Sequence, residues 1–265
     1  MTKRAKRAIK RAGKQRSEER AALAGVASAE FGPDNVRNLF EDRGGWSPLP
    51  EGGAPRDQSY VRNLRPRGEN QARLFRAIDA DPVVFATGPA GTGKTYVAVA
   101  KAVEALEAGR VGRIVLSRPA VEAGESLGYL PGDMEEKLSP YLRPLYDVLT
   151  DRLSAKRVRQ LMGEGVIEVA PIAFMRGRTL NNAFVVIDEA QNCTYAQLKM
   201  LLTRLGWHAS MVVTGDPAQS DLLPGVSGLA EIAGKLGGTD GISAVALEKQ
   251  DVVRHPLVAK MVELI

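Results

Sequence analysis

Cysteine is nearly absent from this chain of 265 residues, Cys193 being the only one. That rules out an intramolecular disulfide framework and a cysteine-based zinc cluster. Histidine is almost as scarce. With only His208 and His255, a multi-histidine metal site is not expected. No apolar run approaches the roughly 18 residues that a membrane-spanning helix needs, so no membrane contact of that kind is expected. A reducing, cytoplasmic setting fits these absences.

Acidic residues are missing from one place in particular. The first 16 positions hold Lys3, Arg4, Lys6, Arg7, Lys10, Arg11, Lys14 and Arg16 and no acid. The whole chain carries +5, so residues 17–265 sum to five minus eight, or −3. The sequence therefore describes a mildly acidic body with a basic arm. Such an arm can follow nucleic-acid phosphates by releasing counterions, or it can be a solvated tail. The stretch Ala21-Ala22-Leu23-Ala24-Gly25-Val26-Ala27-Ser28-Ala29 looks superficially like an export signal. Glu18 and Glu19 interrupt its approach, and only Leu23 and Val26 are larger than alanine, so export is not expected.

Residues 1–30 are read as this basic arm, Ala-rich and ending at Gly32-Pro33 as a surface helix would. Residues 31–63 carry Gly44, Gly45, Gly52 and Gly53 with Pro48, Pro50 and Pro55, the composition of a linker or a loose wrapping segment. The compact domain is expected over 64–265. Strand-like runs at 83–87, 113–117, 166–170, 183–188, 211–215 and 244–247 alternate with helical patterns. Alternation of that kind implies an α/β fold, three-layered, with a mainly parallel sheet. One helix is especially marked. Thr194 and Gln197 form a capping box, Leu198, Leu201, Leu202 and Leu205 form a core stripe, and Gly206 is expected to close it.

The chemistry begins at residues 88–95, Gly88-Pro89-Ala90-Gly91-Thr92-Gly93-Lys94-Thr95. This is the G-x-x-x-x-G-K-[ST] phosphate-binding loop. It follows the apolar run Val83-Val84-Phe85-Ala86-Thr87 and precedes a helical pattern over 93–108, in which Tyr96, Val99, Val103 and Leu106 are apolar at helical spacing. Backbone N–H groups and the helix N-terminus suit a phosphate anion. Lys94 is placed to reach the β- and γ-phosphates and Thr95 to hold Mg²⁺. A second apolar strand ends in Asp188-Glu189. There Asp188 suits the metal shell, and Glu189 suits the general base for an attacking water. A third strand ends in Gly215-Asp216-Pro217-Ala218-Gln219, where the Gln219 amide suits sensing of a γ-phosphate. Cys193, with no histidine partner nearby, is read as a packed thiol.

Together these segments resemble superfamily 1 helicase motifs. The intervening Ser117-Arg118-Pro119-Ala120-Val121-Glu122-Ala123-Gly124-Glu125 and Leu127-Gly128-Tyr129-Leu130-Pro131-Gly132-Asp133 are similar to the PhoH family. So are Pro140-Tyr141-Leu142-Arg143-Pro144-Leu145-Tyr146, Met175-Arg176-Gly177-Arg178-Thr179-Leu180 and Asp251-Val252-Val253-Arg254-His255-Pro256-Leu257-Val258. The resemblance covers residues 64 to 265 and implies one RecA-like P-loop ATPase domain of a cytoplasmic, phosphate-starvation-associated family. It implies ATP and Mg²⁺ as ligands and Gln71 as an adenine-reading amide upstream of the loop. Tyr96 joins the nucleotide-binding set, and Arg254 is the implied arginine finger, in cis or from a neighbouring subunit. Arg118, Arg176 and Arg178 are expected either to line a path for single-stranded RNA or DNA or to pair with Glu122, Glu125 or Asp133; His255 is expected to be structural. A homo-oligomer, a ring included, is expected if the protein translocates on a strand. Two other readings stand beside the ATPase: a ring-forming helicase and a nucleotide-switched nucleic-acid-binding module. Some relatives carry an upstream nuclease domain, but residues 1–60 are rich in Lys, Arg, Gly and Pro, so nuclease activity is not expected to carry over.

Overall fold

A computed structural model describes residues 64–119 and 134–253, with only the backbone described over 134–141. The basic arm with its expected helix, the Gly/Pro-rich segment, residues 120–133, Arg254 and His255 lie outside the described residues.

Among the described residues six strands form one sheet: β1 (Val83–Thr87), β2 (Arg113–Arg118), β3 (Ile167–Pro171), β4 (Ala183–Ile187), β5 (Ser210–Gly215) and β6 (Ile242–Ala246). Their order is β3-β2-β4-β5-β1-β6, and every described pairing is parallel. Parallel neighbours need a crossover between them, and helices supply it. The helices are α1 (Glu69–Ala80), α2 (Lys94–Glu107), α3 (Met134–Arg152), α4 (Ala155–Gly163), α5 (Tyr195–Leu202) and α6 (Leu229–Leu236).

The two-residue period of the strands divides the core between two faces. Val84, Ala86, Ile114, Leu116, Phe184, Val186 and Val212 face α1 to α4, meeting Leu74, Val99, Leu149 and Val158. Val83, Phe85, Val115, Val185, Ile187, Met211 and Val213 face α5 and α6, meeting Leu198, Leu201, Leu229 and Ile232. Strands covered on both faces need apolar residues at every position, which is why β1 and β4 read as unbroken apolar runs. The edge strands β3 and β6 are only partly buried. Truncating a fully buried ring such as Phe85 to alanine is expected to cost about 3 to 5 kcal/mol.

The expected strands all form, with small shifts at the edges. β6 starts at Ile242 rather than 244 because Ile242 and Ser243 already pair with Val83 and Val84. β3 starts one residue later than expected, at Ile167, which pairs with Ile114 of β2. Helix α5 has the expected capping box: Gln197 N–H donates to Thr194 Oγ1 at 3.2 Å, and Thr194 N–H donates to Gln197 Oε1 at 2.8 Å. It ends sooner than the leucine stripe suggested. Leu205 leaves the helix to bridge Leu180 in parallel, with Leu180 N–H on the Arg204 carbonyl at 2.8 Å. Gly206 therefore serves a close approach, since a Cβ there would lie 2.1 Å from Asn181 Oδ1.

This order sets the site. The β4 strand is not beside β1; β5 runs between them. The loops after β1, β5 and β4 thus meet side by side at the carboxyl edge, where open parallel sheets hold their ligands.

Candidate functional site

The phosphate loop leaves β1 through Gly88, whose φ of 134° lies in a region closed to most side chains. A Cβ there would sit 2.2 Å from the Leu247 carbonyl oxygen, because the chain after β6 crosses directly against the loop. Gly93, with φ 82°, then caps α2 and aims its N-terminal end at the loop. Three distant segments brace it. Gly88 N–H donates to the Gly215 carbonyl at 3.2 Å, and Val253 N–H to the Gly91 carbonyl at 2.9 Å. The Gln71 Nε2 donates to the Thr92 carbonyl at 2.9 Å.

Inside the loop, the buried Thr92 hydroxyl donates to the Pro89 carbonyl at 2.9 Å. Lys94 Nζ folds back to donate to the carbonyls of Gly88 at 2.6 Å and Pro89 at 2.8 Å. Burial lowers the ammonium's pKa, while Asp216, Glu189 and Asp188 oppose that shift. An ammonium held by loop carbonyls can exchange them for the oxygens of an anion, whose charge the partly desolvated cation favours. Pro89 is half-buried and Ala90 exposed at the loop's tip, and Tyr96 is half-buried two residues beyond Lys94.

The β4 strand delivers its acids to the same place. Thr95 Oγ1 donates to Asp188 Oδ1 at 2.6 Å, and Thr214 Oγ1 of β5 donates to that same oxygen at 2.7 Å. Asp188 is nearly buried, and its N–H is fixed on the Ser117 carbonyl at 2.8 Å. Hydroxyl and carboxylate together form an all-oxygen donor set, which suits a hard cation such as Mg²⁺. Among the described residues no group of three or more His, Cys, Asp or Glu side chains gathers to hold a metal by itself. A magnesium ion that relies on substrate phosphates for further ligands needs no such cluster.

Glu189 has φ 53°, one of three positive values at non-glycine positions among the described residues. Left-handed backbone at such a residue is costly and persists where the surroundings impose it. Its two oxygens have separate partners. Arg118, at the end of β2, contacts Oε1 at 3.0 Å, and Gln191 Nε2 donates to Oε2 at 2.6 Å. Gln191 is a residue that motif reasoning passed over. The sign available was its place in Asp188-Glu189-Ala190-Gln191, where attention fell on the two acids.

Other expected site residues land less centrally. Gln71 is buried, and Arg67 N–H already donates to its Oε1 at 2.9 Å. Any adenine contact must use its second N–H and second lone pair. The Gln219 side chain is exposed, and its N–H donates to the Asp216 carbonyl at 3.0 Å. The three acids named as alternatives for Arg178 lie outside the described residues, and Arg178 pairs with Glu168 of β3, at 2.5 and 2.6 Å through two nitrogens. The reason is local: the turn Ile172–Met175 folds the chain back so that Arg178 meets the strand it has just left. Arg176 is exposed. Cys193 is buried, and burial pushes its thiol up to about 12, which removes it as a nucleophile.

A cavity of about 350 Å³ lies at the opposite, amino edge, lined by Asp79, Asp81, Lys101, Arg110 and His208 among others. Its main charges are spent on one another, with Lys101 on Asp79 at 2.7 Å. Among the described residues no helix is long and apolar enough to cross a membrane.

The chain is 57% identical over 203 residues to a PhoH-like protein of Bacillus subtilis, covering 76% of this chain and 64% of that protein. It is 52% identical over 202 residues to a PhoH-like protein of Synechocystis, covering 76% and 61%. Protein PhoH of Escherichia coli K12 is 45% identical over 208 residues, covering 77% and 59%. The chain thus spans about three-fifths of the length of these curated relatives. Among solved structures, the large terminase of a thermophilic bacteriophage gives a TM-score of 0.46 at 12% identity, over 75% of this chain and 50% of that one. The Pif1 helicase of Candida albicans gives 0.38 at 12% identity, over 76% and 43%. The PhoH-like protein family model matches residues 63–265, a span that takes in the phosphate loop, the β4 acids and the β5 loop alike, and the chain belongs to that family.

Proposed function

We propose that this protein is a Mg²⁺-dependent ATP hydrolase whose turnover responds to single-stranded nucleic acid. The observation that carries the proposal is the 2.6 Å bond between Thr95 of the phosphate loop and Asp188 of β4, which joins the two halves of a hydrolytic site. Lys94 exchanges its two loop carbonyls for the β- and γ-phosphate oxygens of ATP. Thr95 and Asp188 would hold Mg²⁺, which when bound offsets charge on the phosphates. Glu189 takes a proton from the attacking water as that water bonds to the γ-phosphorus and the bond to ADP breaks. Gln219 senses the γ-phosphate, Gln71 and Tyr96 contact the nucleoside, and Arg254 supplies a further cation to the transition state.

The link to nucleic acid rests on Arg118. One guanidinium stands at the carboxyl edge of β2 and touches the base Glu189. Strand phosphates compete for that guanidinium and free the carboxylate, so a bound strand stimulates hydrolysis. Arg176 and the basic arm add further positive charge for strand phosphates, in a cytoplasmic protein that assembles as a homo-oligomer.

Steady-state ATP hydrolysis with and without single-stranded RNA or DNA tests this, with Lys94→Ala as the blank. Activity that requires Mg²⁺, vanishes in the blank and rises several-fold with one polymer is the expected result. No hydrolysis above the blank under any of these conditions overturns the ATPase. Hydrolysis indifferent to both polymers keeps the ATPase and overturns the coupling. A native mass that forms a ring only with ATP, together with strand separation, would favour the helicase reading.

A further inference from the structure

Gln191 is 4% exposed, yet its side chain spans two elements of the site. The Nε2 end donates to Glu189 Oε2 at 2.6 Å. The Oε1 end accepts the Asp216 N–H, at the start of the β5 loop, at 3.0 Å. Its backbone carbonyl accepts the Ser220 hydroxyl from the far side of that loop, also at 3.0 Å. The packing has been arranged around this amide. A Cβ on Gly215 would lie 2.7 Å from Gln191 Oε1 and 3.1 Å from its backbone nitrogen, so β5 reaches this close only without a side chain there.

Glutamine is the residue these neighbours require. The carboxylate needs a donor and the Asp216 N–H needs an acceptor, about one amide width apart. Glutamate would offer acceptors at both ends and lysine donors only. A buried amide satisfied at both ends also has one orientation, because flipping it would set its oxygen against Glu189.

We infer that Gln191 is a positioning residue that fixes the carboxylate of Glu189 relative to the β5 loop. The inference rests on the reading of Glu189 as the general base. Gln191 retains Oε2 and leaves Oε1, the oxygen that Arg118 contacts, as the one that turns to water. Because the same amide grips the Asp216 backbone, the loop bearing Gln219 and the base move as one body. A γ-phosphate met by the loop is then reported to the base without any new contact.

The test is a double-mutant cycle on kcat and on the KM for ATP. Gln191→Glu keeps the acceptor toward Asp216, replaces the donor toward Glu189 by an acceptor and sets a second carboxyl group against it. It should lower kcat by roughly 10- to 100-fold and leave the KM within about twofold. In a Glu189→Gln background the same change should cost less than about twofold, because the group it acts through is already gone. Equal costs in both backgrounds, or an unchanged kcat in folded Gln191→Glu protein, overturns the inference. A Glu189→Gln protein with wild-type turnover instead overturns the reading of Glu189, so the two failures are told apart.

Discussion

Two arginine–glutamate pairs stand on the sheet, one within β3 and one just past the carboxyl end of β4, and they are built differently. Arg178 and Glu168 meet through two nitrogens and two oxygens at 2.5 and 2.6 Å, and the carboxylate's hydrogen bond holds the guanidinium's pKa up. Arg118 and Glu189 meet through one contact at 3.0 Å, and the second oxygen of Glu189 belongs to Gln191. A bidentate fork is the closed form of this interaction, with each partner's best geometry used up. A single longer contact beside a second donor leaves a carboxylate that can change partners. Backbone geometry follows the same division. Glu168 lies within a regular strand, whereas Glu189 is forced to a positive φ. The first pair ties the turn after β3 back to its strand. The second stands where charge and strain are concentrated at a site.

The largest effect that separates them is on turnover. Glu189→Gln is expected to lower kcat by about 10²- to 10⁴-fold with ATP binding retained, as removal of a general base should. Glu168→Gln should leave kcat within about twofold at temperatures where the protein is folded. Equal losses at the two positions in ATPase assays would erase the distinction. The next effect is on stability and runs the other way. Arg178→Ala strands a partly buried carboxylate that has lost two charge-assisted bonds, a loss of about 1 to 2 kcal/mol once solvent screening is allowed for. In Arg118→Ala the lost contact with Glu189 should itself contribute less than about 1 kcal/mol, since it is single and that carboxylate is more than one-third exposed. Urea melts of the two variants, read at constant m, compare them directly.

How far sequence foresaw this contrast depends on the distance of each partner. The phosphate loop, Asp188 and Glu189 were legible because each follows a strand whose apolar run marks its own end. The capping box on Thr194 was legible because it closes within three residues. Arg178 was not. Its partner is 10 residues back, and the pairing depends on how the turn Ile172–Met175 redirects the chain, which composition does not report. The premature end of α5 escaped for a like reason, since it is decided by Leu180, 25 positions before Leu205 in the chain. Gln191 escaped differently. It was in plain view within the acidic motif, but its task exists only because β5 rather than β1 lies beside β4, bringing the Asp216 N–H within reach.

The smallest expected effect lies in salt dependence, and it asks whether either arginine meets a strand at all. A guanidinium that neutralises one phosphate releases about one counterion, so its removal lowers the slope of log affinity against log salt by about one. Arg178 spends its fork on Glu168, so Arg178→Ala should leave the slope for single-stranded RNA or DNA unchanged. Arg118 should lose about one unit on conversion to alanine, and exposed Arg176 about the same. Arg118→Ala should also abolish stimulation of hydrolysis by the strand, whereas Arg176→Ala should weaken strand binding and leave saturated stimulation intact. This follows because, of these arginines, Arg118 is the one that touches Glu189, the proposed base. Fluorescence titrations of a labelled oligonucleotide at several salt concentrations give the slopes. If Arg118→Ala leaves both the slope and the stimulation as they were, the 3.0 Å contact with Glu189 is no more than a second structural pair, and the contrast between the two arginines reduces to one of geometry.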